Sequence, residues 1–354
     1  MQHKAAIIGY GNMGSWHAEN INARIDSLTV VGVYDIDAAR CQLAKENGFH
    51  VFASAEELLA SDIDLVIVAT PNNFHKYYSI LAMQAGKNVV CEKPACMNSE
   101  ELEEVLAVSR KTNKLYTVHQ NRRFDTDYAI MREIIDQDML GKLYFLDSRL
   151  YSNRGSSGRW RSTYEAGGGT LYDWGIHMID QVLCLIKSEP KYVFAQLQSV
   201  RFPAVDDVYR VIIGFENGVK AQVVADLWCY IDEPRWHLSG DDGTATIYKW
   251  FGSEGKVVKA NIKEVDWEQG CVYTPNGLSK TMWPRPKQEI SELPLPTPNV
   301  MPRWEDFYEN VIDVIENGAE QIVKHDEIRR SMRVLMAAFR SARENTTVLL
   351  NNEE

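Results

Sequence analysis

Five short, almost unbroken apolar runs punctuate the first third of the chain, at 5–8, 29–34, 65–69, 88–91 and 115–118. Apolarity at nearly every residue, without the polar alternation of a half-exposed strand, marks strands buried on both faces. The stretches between them, 15–24, 38–47, 55–60, 74–85 and 99–111, carry helix formers, and Gly48 and Gly86 stand where a C-terminal stop belongs. Strand and helix in alternation predict βαβ units and a parallel sheet.

Beyond about residue 123 the rhythm changes. A helix is expected at 126–137, a strand at 142–152, then an Arg- and Gly-rich loop, then Gly167-Gly168-Gly169 leading a helical pattern to about 187. Alternating runs from 192 to 265 predict a large, mostly antiparallel sheet. Within it, 208–215 and 219–227 flank Glu216-Asn217-Gly218, where Asn-Gly supplies the positive φ values of a tight hairpin turn. Seven of the twelve prolines fall between 275 and 302, which predicts an irregular surface connection and a candidate dimer contact. Two closing helices are expected at 304–317 and 325–345. A length of 354 residues suits two domains, and the change of rhythm divides them as 1–122 and 123–354.

Composition narrows the partners. At 45% hydrophobic and 25% charged residues there is material for a packed core, and a net charge of -11 disfavours phosphate backbones and anionic lipid. Neither nucleic acid nor membrane is expected as a partner. No apolar run approaches the ~20 residues of a membrane helix, and Met1-Gln2-His3-Lys4 leads into a strand without a secretory pattern, so a cytoplasmic protein is expected. The six cysteines, at 41, 91, 96, 184, 229 and 271, form no Cys-x-x-Cys pair and read as reduced thiols.

Gly9-Tyr10-Gly11-Asn12-Met13-Gly14 fits Gly-x-Gly-x-x-Gly between a strand and a helix, the context in which that motif binds dinucleotides. The first glycine permits the turn, the second lets backbone approach a pyrophosphate, and the third lets helix and strand pack. The second strand ends at Tyr34-Asp35, where a carboxylate hydrogen-bonds ribose hydroxyls and repels an added phosphate. With Ile36 next in place of an arginine, NAD is the expected cofactor; Arg40 keeps NADP as the lesser alternative. The fold class is therefore α/β, with an N-terminal Rossmann doubly wound parallel sheet followed by a C-terminal α+β domain.

Glu92-Lys93-Pro94 follows the strand at 88–91, at the carboxyl edge of the sheet where open α/β folds bind ligands. In the second domain, Asp173 and His177 are spaced to share one helical face, which would bring carboxylate and imidazole together. Two other uses compete: Thr170-x-x-Asp173 resembles a capping box, and a buried histidine is often merely satisfied. No third ligand accompanies the pair in sequence, so no metal is expected.

The glycine motif, Thr70-Pro71-Asn72 with His75, Glu92-Lys93-Pro94, Trp160-Arg161 and Gly-Gly-Gly…Asp173-x-x-x-His177-x-x-Asp180 together resemble the glucose-fructose oxidoreductase, inositol dehydrogenase and MocA family over nearly the whole chain. The resemblance implies NAD(P)-dependent oxidation or reduction of sugars or cyclitols, with the open C-terminal sheet as the contact of a homodimer or homotetramer. It maps catalytic Lys, Asp and His onto Lys93, Asp173 and His177. It sets Gly9, Gly11, Asn12, Met13, Gly14, Asp35, Ile36, Thr70, Pro71, Asn72, His75, Glu92, Lys93, Gln120 and Asn121 along the cofactor. Substrate would meet Lys93, Asn121, Arg154, Trp160, Arg161, Asp173 and His177.

Oxidising a secondary alcohol needs a base and a donor to the oxygen that gains charge. His177 suits the base, while Lys93 could donate or relay the proton and Asp173 could orient substrate or imidazole. Arg154, Arg159 and Arg161 could hold a sugar acid or phosphate, or contact cofactor or solvent. Trp160 and Trp174 could face a sugar ring or pack in the core. Two further readings are an NAD-retaining glycosidase or epimerase working through a transient keto-sugar, and a non-enzymatic NAD sensor. The family pattern is departed from at 271–302, a Pro-rich segment longer than a plain connection.

Overall fold

The computed structural model describes residues 2–155, 158–261, 272–279 and 289–350. The first six strands and five helices alternate: β1 His3–Ile8, α1 Asn12–Arg24, β2 Leu28–Tyr34, α2 Ala38–Glu46, β3 His50–Val51, α3 Ala55–Ala60, β4 Leu65–Val68, α4 His75–Gln84, β5 Asn88–Cys91, α5 Ser99–Thr112 and β6 Tyr116–Val118. The strands form one parallel sheet in the order β3-β2-β1-β4-β5-β6. This is a doubly wound sheet whose strand order reverses beside β1. Every residue of β4 is fully buried, as its unbroken apolar sequence requires. Helix starts follow local chemistry: the side chains of Asp37, Ser54 and Asn98 cap α2, α3 and α5. Gly48 and Gly86 take φ of 84° and 81° just past α2 and α4, as the stops expected there. The two-residue β3 is too short to leave a periodic signal and was not expected.

The remainder runs α6 Thr126–Asp136, β7 Leu143–Tyr151, α7 Ile176–Leu185, β8 Pro190–Gln198, β9 Val208–Phe215, β10 Lys220–Asp226, β11 Trp236–Gly240, β12 Gly243–Ile247, β13 Gly255–Asn261, β14 Val272–Thr274, β15 Gly277–Ser279, β16 Glu289–Leu293, α8 Glu305–Asn317, α9 His325–Glu344 and β17 Val348–Leu349. Nine of these strands make a second sheet, β16-β13-β12-β11-β7-β10-β9-β8-β17, antiparallel throughout except where β7 meets β10. The expected hairpin is β9–β10, closed by Phe215 N–H to Val219 O at 2.9 Å. Only Gly218 takes a positive φ there, 88°, because the connection has three residues and needs one left-handed position.

Three expectations need correction. The segment 275–302 is not wholly irregular: Glu289–Leu293 pairs with β13 and stops where Pro294 removes the next N–H donor. Residues 280–288 of that segment, like residue 271 before it and the end of the expected run at 262–265, lie outside the described residues. The helical pattern after the glycines opens not as α-helix but as a π-helical turn, Leu171–Gly175. No side-chain capping bond forms at Thr170, so the capping-box use of Asp173 is not realised.

The second sheet is covered on one face by α7 and α9, leaving alternate residues such as Gln196 and Arg210 exposed on the other. The two sheets are tied together by buried charge: Arg123 donates to both oxygens of Asp180 at 2.7 and 2.6 Å and to Glu327 at 2.6 Å. All five cysteines among the described residues are free thiols. No helix of the described residues is long and apolar enough to cross a membrane.

Candidate active site

The turn after β1 is shaped by what side chains it excludes. Gly9 has φ 98°, and a Cβ there would lie 2.6 Å from the Ala69 carbonyl oxygen; a Cβ on Gly14 would collide with the Gly9 carbonyl. A Cβ on Gly11 would point into open space. Gly11 is also the N-cap of α1, which has no side-chain cap and no acidic residue in its first turn. Backbone N–H groups at Asn12 and Met13 therefore meet no carboxylate from their own helix, which leaves them for an anion such as a pyrophosphate in the cradle at Gly11. Asp35, at the end of β2, accepts Tyr10 N–H at 2.7 Å and Asp37 N–H at 2.8 Å, which fixes its carboxylate over this turn. Ile36 beside it is 83% exposed. This cradle and the acidic residue at the strand end fit a dinucleotide.

Other residues expected along the cofactor prove to join loops. Both ring nitrogens of buried His75 face carbonyls, Pro94 O at 2.7 Å and Thr70 O at 3.0 Å, so its imidazole binds the loop after β4 to the loop after β5. Asn72, next to Pro71, donates to Gly167 O at 2.8 Å and so connects the first sheet to the glycine run. The Thr70 hydroxyl and the Asn121 side-chain oxygen are buried without a protein partner.

Lys93 crosses to the other half of the molecule. Its ammonium donates to Asp173 Oδ1 at 2.7 Å and to the Asp173 carbonyl at 2.8 Å. Arg161 Nε lies 3.2 Å from the second carboxylate oxygen of Asp173, and its guanidinium sits 4.3 Å from the Trp160 ring. Burial pushes the Asp173 carboxyl up, but Lys93 and Arg161 outweigh it and hold the group below the usual range. Asp173 and His177 do not pair: the imidazole presents Nδ1 to Gln120 Oε1 at 3.2 Å instead. An amide oxygen only accepts, so Nδ1 carries the proton and Nε2 keeps its lone pair. Burial, then the charges of Lys93 and Arg122, push His177 well below its ordinary value, so the ring is neutral at neutral pH. Arg154 and Arg159 are exposed and make no ion pair among the described residues, so of the three arginines only Arg161 reaches the constellation.

The helix carrying these groups is capped from outside. Asp206, in the loop before β9, accepts Leu171 N–H at 2.7 Å through its side chain and Thr170 N–H at 2.9 Å through its carbonyl. Gly169, at φ 109°, makes room, since any Cβ there would strike the Asp206 carboxylate. Burial pushes Asp206 up to about 7. Nothing near Asp206 in sequence announces this role.

Glu92 looks the other way, into a network absent from the sequence-based expectations. Its Oε1 lies 2.8 Å from both His17 Nε2 on α1 and His119 Nδ1 after β6. His17 Nδ1 is 2.9 Å from the Tyr308 hydroxyl, and the Trp304 indole N–H donates to His119 Nε2 at 3.1 Å. An indole can only donate, so His119 Nε2 must accept and Nδ1 must carry the proton given to Glu92. Burial pushes Glu92 up, but its bonds to the two imidazoles hold it well below the usual carboxylate range; burial pushes His119 down to about 4. The trio has the ligand types of a metal site. Binding a metal through His119 Nδ1 would turn an Nε2 proton against the Trp304 N–H, so hydrogen bonding is the arrangement this chemistry favours.

Comparison with known proteins covers both halves of the chain. The family model for the oxidoreductase family with NAD-binding Rossmann fold matches residues 3–120, and that for the GFO/IDH/MocA C-terminal domain matches 128–246. An NAD-binding protein from Listeria innocua, of known structure, is 36% identical, with a TM-score of 0.88 over 99% of this chain and 97% of that one. The scyllo-inositol 2-dehydrogenase (NADP(+)) of Bacillus subtilis is 28% identical, over 99% of this chain and 96% of its own. The D-glucoside 3-dehydrogenase of Escherichia coli is 34% identical over 52% of this chain and 54% of its own.

Proposed function

The chain belongs to the glucose-fructose oxidoreductase, inositol dehydrogenase and MocA family of NAD(P)-binding oxidoreductases, and on that premise we propose that it transfers a hydride between nicotinamide and a secondary hydroxyl of a sugar, sugar acid or cyclitol. The observation that carries this reading is the 2.7 Å contact of Lys93 with Asp173 beside a neutral imidazole. The names of the two dehydrogenase relatives, one for a cyclitol and one for a glucoside, support a cyclic polyol as substrate. Residues 1–122 hold the cofactor, and 123–354 shape the substrate side.

Nicotinamide, when bound, supplies the hydride acceptor. His177 takes the hydroxyl proton at Nε2, because Gln120 fixes the tautomer and the neighbouring cations keep the ring unprotonated. Lys93 spends two N–H bonds on Asp173 and directs the third to the substrate oxygen as it gains negative charge. Asp173 keeps that ammonium charged and placed, and Arg161 holds the second oxygen of Asp173. NAD is the preferred cofactor, because the carboxylate of Asp35 repels a 2′-phosphate and exposed Ile36 offers it no cation. Free thiols suit a cytoplasmic enzyme. The uncovered face of the nine-stranded sheet is the surface for a homodimer or homotetramer.

The test is a panel of sugars, sugar acids and cyclitols assayed with NAD and with NADP by nicotinamide absorbance. Turnover of a cyclic polyol, faster with NAD and lowered about a hundredfold or more by His177→Ala, is expected. Unchanged turnover in His177→Ala would remove the assigned base.

A further inference from the structure

Phe251, in the loop between β12 and β13, combines two features that cost the fold stability. Its backbone is left-handed, with φ 56°, and its ring is 58% exposed. Bulky residues rarely adopt that conformation, and an exposed ring returns little burial in exchange. The conformation is nonetheless held: Phe251 N–H donates at 3.2 Å to Asp127, a fully buried carboxylate whose other oxygen accepts the Trp236 indole at 2.8 Å. Next to it, Trp250 lies 3.7 Å from the Arg235 guanidinium and 5.4 Å from Trp174.

The ring is linked to His177 through Arg122 and Trp174. The Arg122 guanidinium lies 5.1 Å from the Phe251 ring and 5.5 Å from the Trp174 ring, and the Trp174 ring lies 6.3 Å from His177. Arg122 is also close enough to lower the His177 pKa. From the imidazole, then, an aromatic and cationic wall leads outward past Trp174 and Arg122 to Phe251. A reacting ring held at Lys93 and His177 would occupy the inner end of that wall and leave Phe251 for whatever is attached to it.

We propose that Phe251, with Trp174 and Arg122, forms a subsite for a second ring, and that the substrate class is a glycoside, a sugar bearing another ring, instead of a free monosaccharide or cyclitol. The apolar face of the second ring stacks on Phe251, and Arg122 donates to its oxygens. This rests on the dehydrogenase reading above and narrows its substrate.

The experiment measures kcat/KM with NAD for methyl and phenyl β-D-glucopyranosides and β-D-galactopyranosides, alongside glucose and myo-inositol, in the wild type, Phe251→Ala, Phe251→Trp and Phe251→Gly. The wild type is expected to favour the phenyl over the methyl glycoside about tenfold, through KM. The ratio falls near one in Phe251→Ala and Phe251→Gly and survives in Phe251→Trp. Phe251→Gly, which accepts the left-handed backbone freely, is expected to raise Tm, whereas a ring needed only for packing would lower it. An equal ratio in all variants, or turnover confined to glucose and inositol, overturns the subsite while leaving the dehydrogenase reading intact. No turnover of any of these compounds overturns both.

Discussion

Glu92 and Lys93 are consecutive residues, yet they enter two clusters built from the same kinds of group and with opposite character. Glu92 joins His17 and His119 in a network where the imidazole nitrogens all have partners, out to Trp304 and Tyr308. Lys93 joins Asp173 and Arg161 beside His177, where one ammonium N–H and one imidazole lone pair have no partner among the described residues. A saturated buried network fixes how elements pack; here it fastens α8 to the first sheet. An unsaturated one leaves donor and acceptor for a ligand. Residue type alone does not distinguish the two, and hydrogen-bond accounting does.

The largest effects should come from the open cluster. Lys93→Met and His177→Ala are each expected to lower kcat by about 10²–10⁴ with NAD affinity nearly unchanged, checked by steady-state kinetics and by cofactor titration. If either variant melted far below the wild type while the survivors turned over normally, that side chain would belong with the closed network. The converse holds for Trp304→Phe, which leaves His119 Nε2 without its donor. It should cost about 1–3 kcal/mol of stability in urea unfolding while kcat stays the same.

Acid and base separate the clusters next. His119 is held down to about 4 in the fold against 6.5 unfolded, so it contributes stability above pH 6.5 that is lost as pH falls towards 4. Asp206 works in the opposite sense. With its folded value near 7 and its unfolded value near 3.8, its contribution is present at low pH and is lost as pH rises through 7. Asp206→Asn should therefore gain stability relative to the wild type between pH 4 and 7, measured by unfolding at fixed pH values. In the open cluster the readout is kinetic. Arg122→Gln removes one of the charges that depress His177, so the acid limb of the kcat profile should move to higher pH.

Much of this is legible in the sequence. The first sheet followed from runs such as 65–69, because a strand buried on both faces leaves no polar gaps and its glycines mark turns of fixed geometry. Lys93, Asp173 and Arg161 were each singled out as candidates, Lys93 and Asp173 from the edge of the sheet, the helical spacing and the family resemblance, and Arg161 from its Arg-rich loop. Their pairing was not, since the four-residue spacing directs Asp173 to His177 and the π-helical turn at Leu171–Gly175 has no periodic signature of its own. The closed network was invisible for a stronger reason. His17, Glu92, His119 and Trp304 lie in four separate segments of the chain, and nothing in the sequence around one names the others. Phe251 escaped because a positive φ at a non-glycine is set by tertiary anchors such as Asp127.

Asp35 lies between the two clusters in character and yields the smallest predicted effect. Each of its oxygens accepts one backbone N–H, from Tyr10 and from Asp37, and each retains further lone-pair capacity. If those bonds were its whole purpose, Asp35→Asn would disturb only the turn, shifting stability by about 1 kcal/mol and leaving cofactor choice alone. If the charge also faces the ribose, the same isosteric change should lower the NAD over NADP preference about tenfold, the equivalent of ~1.4 kcal/mol, by removing repulsion of the 2′-phosphate. Measuring kcat/KM for both cofactors in the wild type and in Asp35→Asn separates these outcomes. A fall in preference without a fall in Tm would place Asp35 with Lys93 among the groups whose remaining valence is kept for a ligand.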